Sequence, residues 1–495
     1  LLEQLNIQLL LNEFKMKLNK IIPIFFLLYL PTVYSQSVGS IGLSDARSLG
    51  MAGTYVLSAK GLYSIGINPA NLNYGNQKNV ELILPLPLPH ISVKAGTNFL
   101  TIEEYNYFFG YSTINKQGEK VGRYLTEDDK SRLKNLFKDG GSISVENYVQ
   151  LFGLAITPSN KFGTIAFAIG DVVSANIIFP NTIIELAIDG NKLNTIYNFS
   201  QTDLKSWWLR KYSFSYSNSL ITIPGIKNIT FGISANYIQG FSYLSIDKVN
   251  TEILTDNNYA FSGNSSFLAH SAFSPDFGVN YDFDTSPDRE TSWSAFPKPA
   301  GTGIGIDLGI VLNLNNSWAF GVSITDLGSI NWNQNVAEYQ SNNPVYLDDL
   351  TNQSSVDSLL DLLSGKNSGK IINSIKTSLA SALHCGLSFQ SDEIFDGTLP
   401  GKILFEIDYN KGFNIMPGNS IKDRLSFGVD WGLTRLFSFR TGVSFGGIDK
   451  FNWGLGFGFD FNILEINVGT PDFQYIISPN TAKRIVVGID SRWKF

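Results

Sequence analysis

Residues 452–461 read NWGLGFGFDF, and this strict alternation constrains the chain more than any other feature. Trp453, Leu455, Phe457, Phe459 and Phe461 fall on one side of an extended backbone, while Gly454, Gly456, Gly458 and Asp460 fall on the other. Side chains alternate across a strand, so one face is large and apolar and the other tiny or polar. The pattern recurs in LSFGVDWGL (425–433) and in ILFEIDYN (403–410). A soluble sandwich would turn the apolar face to a core, whereas a membrane barrel would turn it to lipid and line its lumen with the polar face.

Turn lengths decide between the two. Strands read at 79–96, 143–156, 161–175, 205–219, 228–246, 302–314, 317–331, 376–390, 401–412, 422–433, 437–447, 452–460, 463–470 and 484–495. That is about fourteen, an even number as bacterial barrels have. Connections after even-numbered strands are short, such as TPSN (157–160) and TRL (434–436). Every long connection follows an odd-numbered strand: 97–142, 176–204, 247–301 and 332–375. Short periplasmic turns and long extracellular loops segregate in this way in outer-membrane barrels, and a sandwich has no reason to do so. The fold class expected is therefore all-β: a transmembrane antiparallel β-barrel with long extracellular loops and periplasmic termini. The loops carry minor structure, with a capped helix expected in 126–141, another helix at 354–366, and a hairpin at YAFSGNSSFLAH (259–270).

Composition agrees. Charged residues make up 16% of the 495, aromatics 13%, and the cysteine count is one, Cys385, which excludes internal disulfides and cysteine-based metal clusters. A net charge of −6 argues against nucleic acid as a partner. At the N-terminus, Met16–Lys20 is basic, IIPIFFLLYL (21–30) is apolar, and Val33 and Ser35 precede a cleavage site near Ser35. The apolar run is too short to span a bilayer, so 16–35 reads as an export signal, with 1–15 a mis-assigned upstream extension. Residues 36–78 are then an N-terminal plug and 79–495 the barrel, located in the outer membrane.

The plug segment is rich in small residues and turn formers, which suits close packing inside a lumen. Its stretch SLGMAGTYVLSAKGLYSIGINPANL (48–72) resembles the N-terminal signature of FadL-type long-chain fatty-acid transporters and of the related PorV-type barrels. Leu49, Gly50, Ala52 and Gly53 fit the first block of that signature, and Asn68, Pro69 and Ala70 fit the second. GVSITDLGSINWN (321–333) is similar to a strand-end pattern of PorV-like barrels in type IX secretion. The fit is to an uncharacterised branch of these families. The resemblance implies a hatch inside the barrel and a passive channel for small hydrophobic molecules. The alternative it implies is a barrel that docks secretion-system proteins.

Other residues have stated expectations. Glu406, Asp408, Arg424, Asp430, Arg440, Glu465, Asp490 and Arg492 are expected to face the lumen and pair there or anchor the plug. The final strand places Ile485, Val487, Ile489, Trp493 and Phe495 on one face, a pattern typical of substrates of the barrel-assembly machinery. GTGIGIDLG (301–309) precedes a strand rather than a helix, so its glycines read as small inward residues and not as a nucleotide loop. His90, His270 and His384 lack a nucleophile or carboxylate at informative spacing. No enzyme, metal or cofactor is expected; the partners expected are outer-membrane lipid, the assembly machinery and either a small hydrophobic ligand or secretion proteins. The aromatic stretch YNYFFGY (105–111) in the first loop is a candidate capture surface.

Overall fold

A computed structural model describes residues 45–495 apart from 74–77, 115–117, 119, 160, 224, 258–259, 285–286, 288, 293, 348–368, 392–400 and 448. The extension, the signal peptide, the start of the plug segment and the helix expected at 354–366 lie outside the described residues.

The wall is a closed, 14-strand antiparallel barrel. β1 comes in two pieces, Val80–Ile83 and His90–Thr97. β2 (Gly141–Ser159), β3 (Gly163–Phe179), β4 (Asp203–Ile223) and β5 (Ile226–Thr255) follow. β6 (Gly301–Asn313), β7 (Trp318–Trp332) and β8 (Ile375–Ser378 with Ala382–Gln390) continue the wall. β9 (Lys402–Gly412), β10 (Arg424–Gly432), β11 (Phe437–Gly446), β12 (Lys450–Asp460), β13 (Leu464–Thr470) and β14 (Arg484–Lys494) complete it. Each strand pairs with its sequence neighbour, and β14 returns to β1 with Ile489 opposite Ile91 and Lys494 opposite Glu81. Val80 and Phe495 exchange both main-chain hydrogen bonds at the seam, so no edge is left open there.

The strands expected from alternation coincide with these fourteen, with two corrections: the eighth is broken at residues 379–381, and the first is interrupted. The first is not continuous, because Pro85, Pro87 and Pro89 interrupt it between Ile83 and His90. Proline has no N–H for the ladder, and three prolines at alternate positions remove that many donors from one short stretch, so the pairing breaks there.

Alternation sorts the side chains by solvent. Ile304, Ile306, Leu308 and Ile310 on β6, Phe405 and Ile407 on β9, Leu425 and Phe427 on β10, and Ile485 and Val487 on β14 all project outward and are exposed. In water, such a band would forfeit on the order of 1.5–3 kcal/mol per large side chain; against hydrocarbon it is at home. The inward positions of the same strands carry Asp307, Glu406, Asp408, Arg424 and Asp490, all buried. This inversion makes the barrel a transmembrane one. Among the described residues no helix is long and apolar enough to cross a membrane.

The long-loop end carries more structure than expected. β5 runs on past the wall, and its far end pairs with a strand at Phe261–Phe273, which pairs in turn with Val336–Leu347. The hairpin expected within 259–270 is thus a single arm, and its partner is the extension of β5. In the first loop α1 (Ile102–Phe109) and α2 (Glu127–Leu136) each begin with a capping box, from Thr101 with Glu104 and from Thr126 with Asp129. Phe99, Phe108, Leu133 and Phe137 pack between them. Of the aromatic stretch 105–111, Tyr105 and Phe109 are exposed, Phe108 is buried, and the Tyr107 hydroxyl donates to Asp129 at 2.7 Å.

Candidate functional site inside the barrel

Residues 45–73 are buried almost throughout. They form a short helix at Ala46–Gly50, then 3-10 turns at Gly61–Ser64 and Pro69–Asn73. Asp45 caps the helix by accepting from the Ser48 amide at 2.7 Å. The backbone then reverses through Ala52 and Gly53, both at positive φ.

Asn68, Pro69 and Ala70 meet the wall where it has no side chains. A Cβ added at Gly309 would fall on the Asn68 carboxamide and lie 3.0 Å from Pro69 Cδ, and one at Gly232 would strike the Pro69–Ala70 peptide. Asn68 Oδ1 accepts from the Ala70 amide at 3.2 Å, and Pro69 opens the turn with its φ already set. The turn is clamped by Ser217, which donates to Ala70 O at 2.9 Å, and by Ser323, which donates to Ile67 O at 2.6 Å. The helix is seated likewise: a Cβ at Gly456 would lie 2.9 Å from Gly50 Cα.

Polar side chains of the wall hold the main chain of this segment elsewhere. Asp408 accepts from the Tyr55 and Val56 amides at 2.6 and 3.0 Å, and Glu406 accepts from the Leu57 amide at 2.6 Å. Arg424 donates to Gly53 O at 2.9 Å. Asp490 accepts from the Ala46 amide at 2.8 Å. Arg492 donates to Lys60 O at 2.7 Å and pairs with Glu465 at 2.7 Å. Asp430 pairs with Arg47 at 2.7 Å and with Arg440 at 3.1 Å. All eight charges expected in the lumen therefore lie around one buried segment, and each is matched by main chain or by an opposite charge, as burial demands.

Sequence reasoning passed over further members. Glu81 accepts from the Leu62 amide at 2.8 Å and pairs with Arg492 at 3.1 Å. Lys94 bridges Glu146 and Asp449 at 3.1 and 3.2 Å. Asp307 accepts from the Asp326 amide at 2.7 Å while Lys211 binds both Asp326 oxygens at 2.6 Å. The signal was available, since each of the strand carboxylates and lysines interrupts an apolar run at an inward position. His384 on β8 lies between Thr325 at 3.1 Å and Asn410 at 2.6 Å.

A charged cavity flanks the segment on one side and a packed apolar cluster on the other. Toward the short turns a cavity of about 380 Å³ is lined by Arg47, Lys60, Glu81, Lys402, Arg440 and Lys494 among others. Toward the long loops Tyr148, Val172, Trp207, Leu209, Ile238, Tyr243, Ile330 and Trp332 form one buried cluster, interspersed with inward polar residues such as Glu146 and Lys211. Tyr243 and Trp332 stack there at 5.2 Å.

A family model described as a family of unknown function (DUF5723) matches residues 75–470. No curated protein matches the chain. Similar solved structures include the toluene transporter TbuX of Ralstonia pickettii, at 10% identity and a TM-score of 0.43, with 93% of this chain and 99% of that chain covered. The toluene transporter TodX of P. putida is similar at 12% identity and a TM-score of 0.42, covering 93% and 99%. A FadL homologue of Pseudomonas aeruginosa is similar at 11% identity and a TM-score of 0.41, covering 93% and 97%.

Proposed function

The chain belongs to DUF5723, a family of unknown function, and from that premise we propose that it is an outer-membrane channel for small, mostly apolar molecules. One observation carries the reading: on the side of the long loops the barrel interior holds a cluster of aromatic and aliphatic side chains. A channel for water-soluble solutes has a polar interior. An apolar interior instead offers a hydrophobic solute a place to partition out of water. In this reading the long loops face outward and the short turns face the periplasm. A solute caught at the loops enters the aromatic cluster, and it leaves through the charged vestibule when residues 45–73 shift against the wall. The outward residues of β14 serve recognition by the assembly machinery.

The test is uptake of the apolar fluorophore N-phenyl-1-naphthylamine by cells displaying the folded barrel. Faster uptake than in cells without it is expected, together with a small apolar molecule retained through gentle purification. Unchanged uptake, with a bound protein and no small molecule, would overturn transport in favour of docking.

A further inference from the structure

At the short-turn mouth of the barrel, the cavity of about 380 Å³ is lined both by residues 45–73 and by the wall. Arg47 and Lys60 line it from the segment; Lys402 at the start of β9, Arg440 on β11 and Lys494 at the end of β14 line it from the wall. Arg440 and Arg492, also in the lining, are each more than nine-tenths buried, so the positive charge reaches into the barrel rather than stopping at its rim.

Among the described residues the lining holds seven cationic side chains and four carboxylates. All four carboxylates are paired within it: Asp430 with Arg47 and Arg440, Glu81 with Arg492, Asp460 with Lys494, and Glu465 with Arg492 and Lys494. Lys60, Lys78 and Lys402 complete the lining, which therefore carries three positive charges in excess. The carboxylates deeper in the barrel, Glu406, Asp408 and Asp490, accept from main-chain amides of the segment and lie outside this lining.

A cleft lined by one sign of charge between low-dielectric walls focuses the field and concentrates the opposite ion. A neutral solute gains nothing from that field, and a monovalent ion offsets one charge of three. A compact multivalent oxyanion offsets more and accepts several charge-assisted N–H bonds at once. Each arginine has five N–H donors, so Arg47 and Arg440 can serve Asp430 and an anion together. The space admits a small ion and not the face of a folded partner.

We propose that this cavity binds a multivalent oxyanion of the phosphate class, and that the bound anion latches residues 45–73 to the wall. Arg47 and Lys60 of the segment share it with Lys402 and Arg440 of the wall, so the segment can leave its seat only by giving up those contacts. The site stands without the channel reading; only the effect of the latch on passage rests on it.

The test is calorimetric titration of the full barrel, in an uncharged detergent at low salt, with inorganic pyrophosphate, alongside amide hydrogen exchange over 45–73. Pyrophosphate is expected to bind and to slow exchange across the segment. Lys402→Glu, at an exposed wall position, is expected to weaken binding about tenfold, since it replaces an attraction by a repulsion near the water boundary. Lys161→Glu, exposed in a short turn outside the lining, is expected to bind like the parent. Absence of binding in the parent overturns the site even if a variant misfolds. Binding that Lys402→Glu leaves unchanged, or that Lys161→Glu weakens equally, also overturns it. Binding at the cavity with unaltered exchange over 45–73 overturns the latch. Failed solute uptake with pyrophosphate still bound would sink the channel reading alone.

Discussion

The Tyr63 hydroxyl donates to Asp490 Oδ1 at 2.6 Å, so the segment inside the barrel is tied to the last strand of the wall. The same carboxylate accepts from the Ala46 amide at 2.8 Å and from Asn467 Nδ2 at 2.8 Å. Tyr63→Phe removes one partner of three and is expected to cost about 1.5–3 kcal/mol, the range for hydrogen bonds to charged groups. Asp490→Leu strands all three donors and is expected to cost more. Heat-modifiable gel mobility measures the loss of the whole barrel, and limited proteolysis between residues 45 and 73 measures release of the segment alone. Equal resistance of both variants and the parent would show that this contact holds nothing.

The seat of Asn68 and Pro69 makes a sharper prediction. Gly309→Val places a side chain where the Asn68 carboxamide and Pro69 now lie, and the neighbours it meets are the clamped turn rather than a flexible side-chain tip. Expulsion of the turn is expected, and with it a rise in single-channel conductance in planar bilayers. Ile310→Val, at the exposed position one residue on, is expected to leave conductance unchanged. A Gly309→Val barrel that folds and conducts like the parent would contradict the seating.

Phe495 closes the seam through its main chain while its ring remains exposed on the outer face. Phe495→Ala keeps both seam hydrogen bonds. The variant is expected to refold into detergent with the parent yield but to accumulate poorly in the outer membrane of cells. Equal accumulation would mean that the ring is not read during assembly.

What was legible in the sequence follows from the range of each signal. Alternation is local, so the strand pairs around Trp453, Phe427 and Ile407 could be placed from a handful of residues, and with them the inward charges Glu406, Asp408 and Asp490. The capping box at Thr126 and Asp129 is equally local. What escaped depends on partners far apart in the chain. Nothing near Phe261–Phe273 announces that it will lie between the end of β5 and Val336–Leu347. In α1 the aromatic residues Tyr105, Tyr107, Phe108 and Phe109 fall on several sides of the helix and only Phe108 is buried, so no single apolar stripe marks it in the sequence. The pairing of Lys211 with Asp326 joins residues 115 apart, and only the closed barrel brings them together. Asn-Pro-Ala could be recognised as a turn, but its seat against Gly232 and Gly309 depends on which strands become neighbours.

The extension beyond the wall offers a pH dependence with a definite sign. His270 on the Phe261–Phe273 strand hydrogen-bonds Asp247 on one side and Glu338, at 3.3 Å, on the other, and Lys370 pairs with Glu338 at 2.6 Å. The bond to Asp247, followed by the attraction of the two carboxylates, raises the imidazole above its ordinary value of 6.5 despite partial burial. A raised histidine stabilises the folded form by its charge: the contribution is fully present below 6.5 and is lost as pH climbs through the raised folded value. The pairing of the Phe261–Phe273 strand with the end of β5 and with Val336–Leu347 should therefore loosen on moving from about pH 6 to about pH 8, while the barrel wall does not. Amide hydrogen exchange over 261–273, corrected for the intrinsic rate, should rise across that interval in the parent and stay flat in His270→Gln. A parent profile as flat as the variant's would show that the ring does not hold the three strands together.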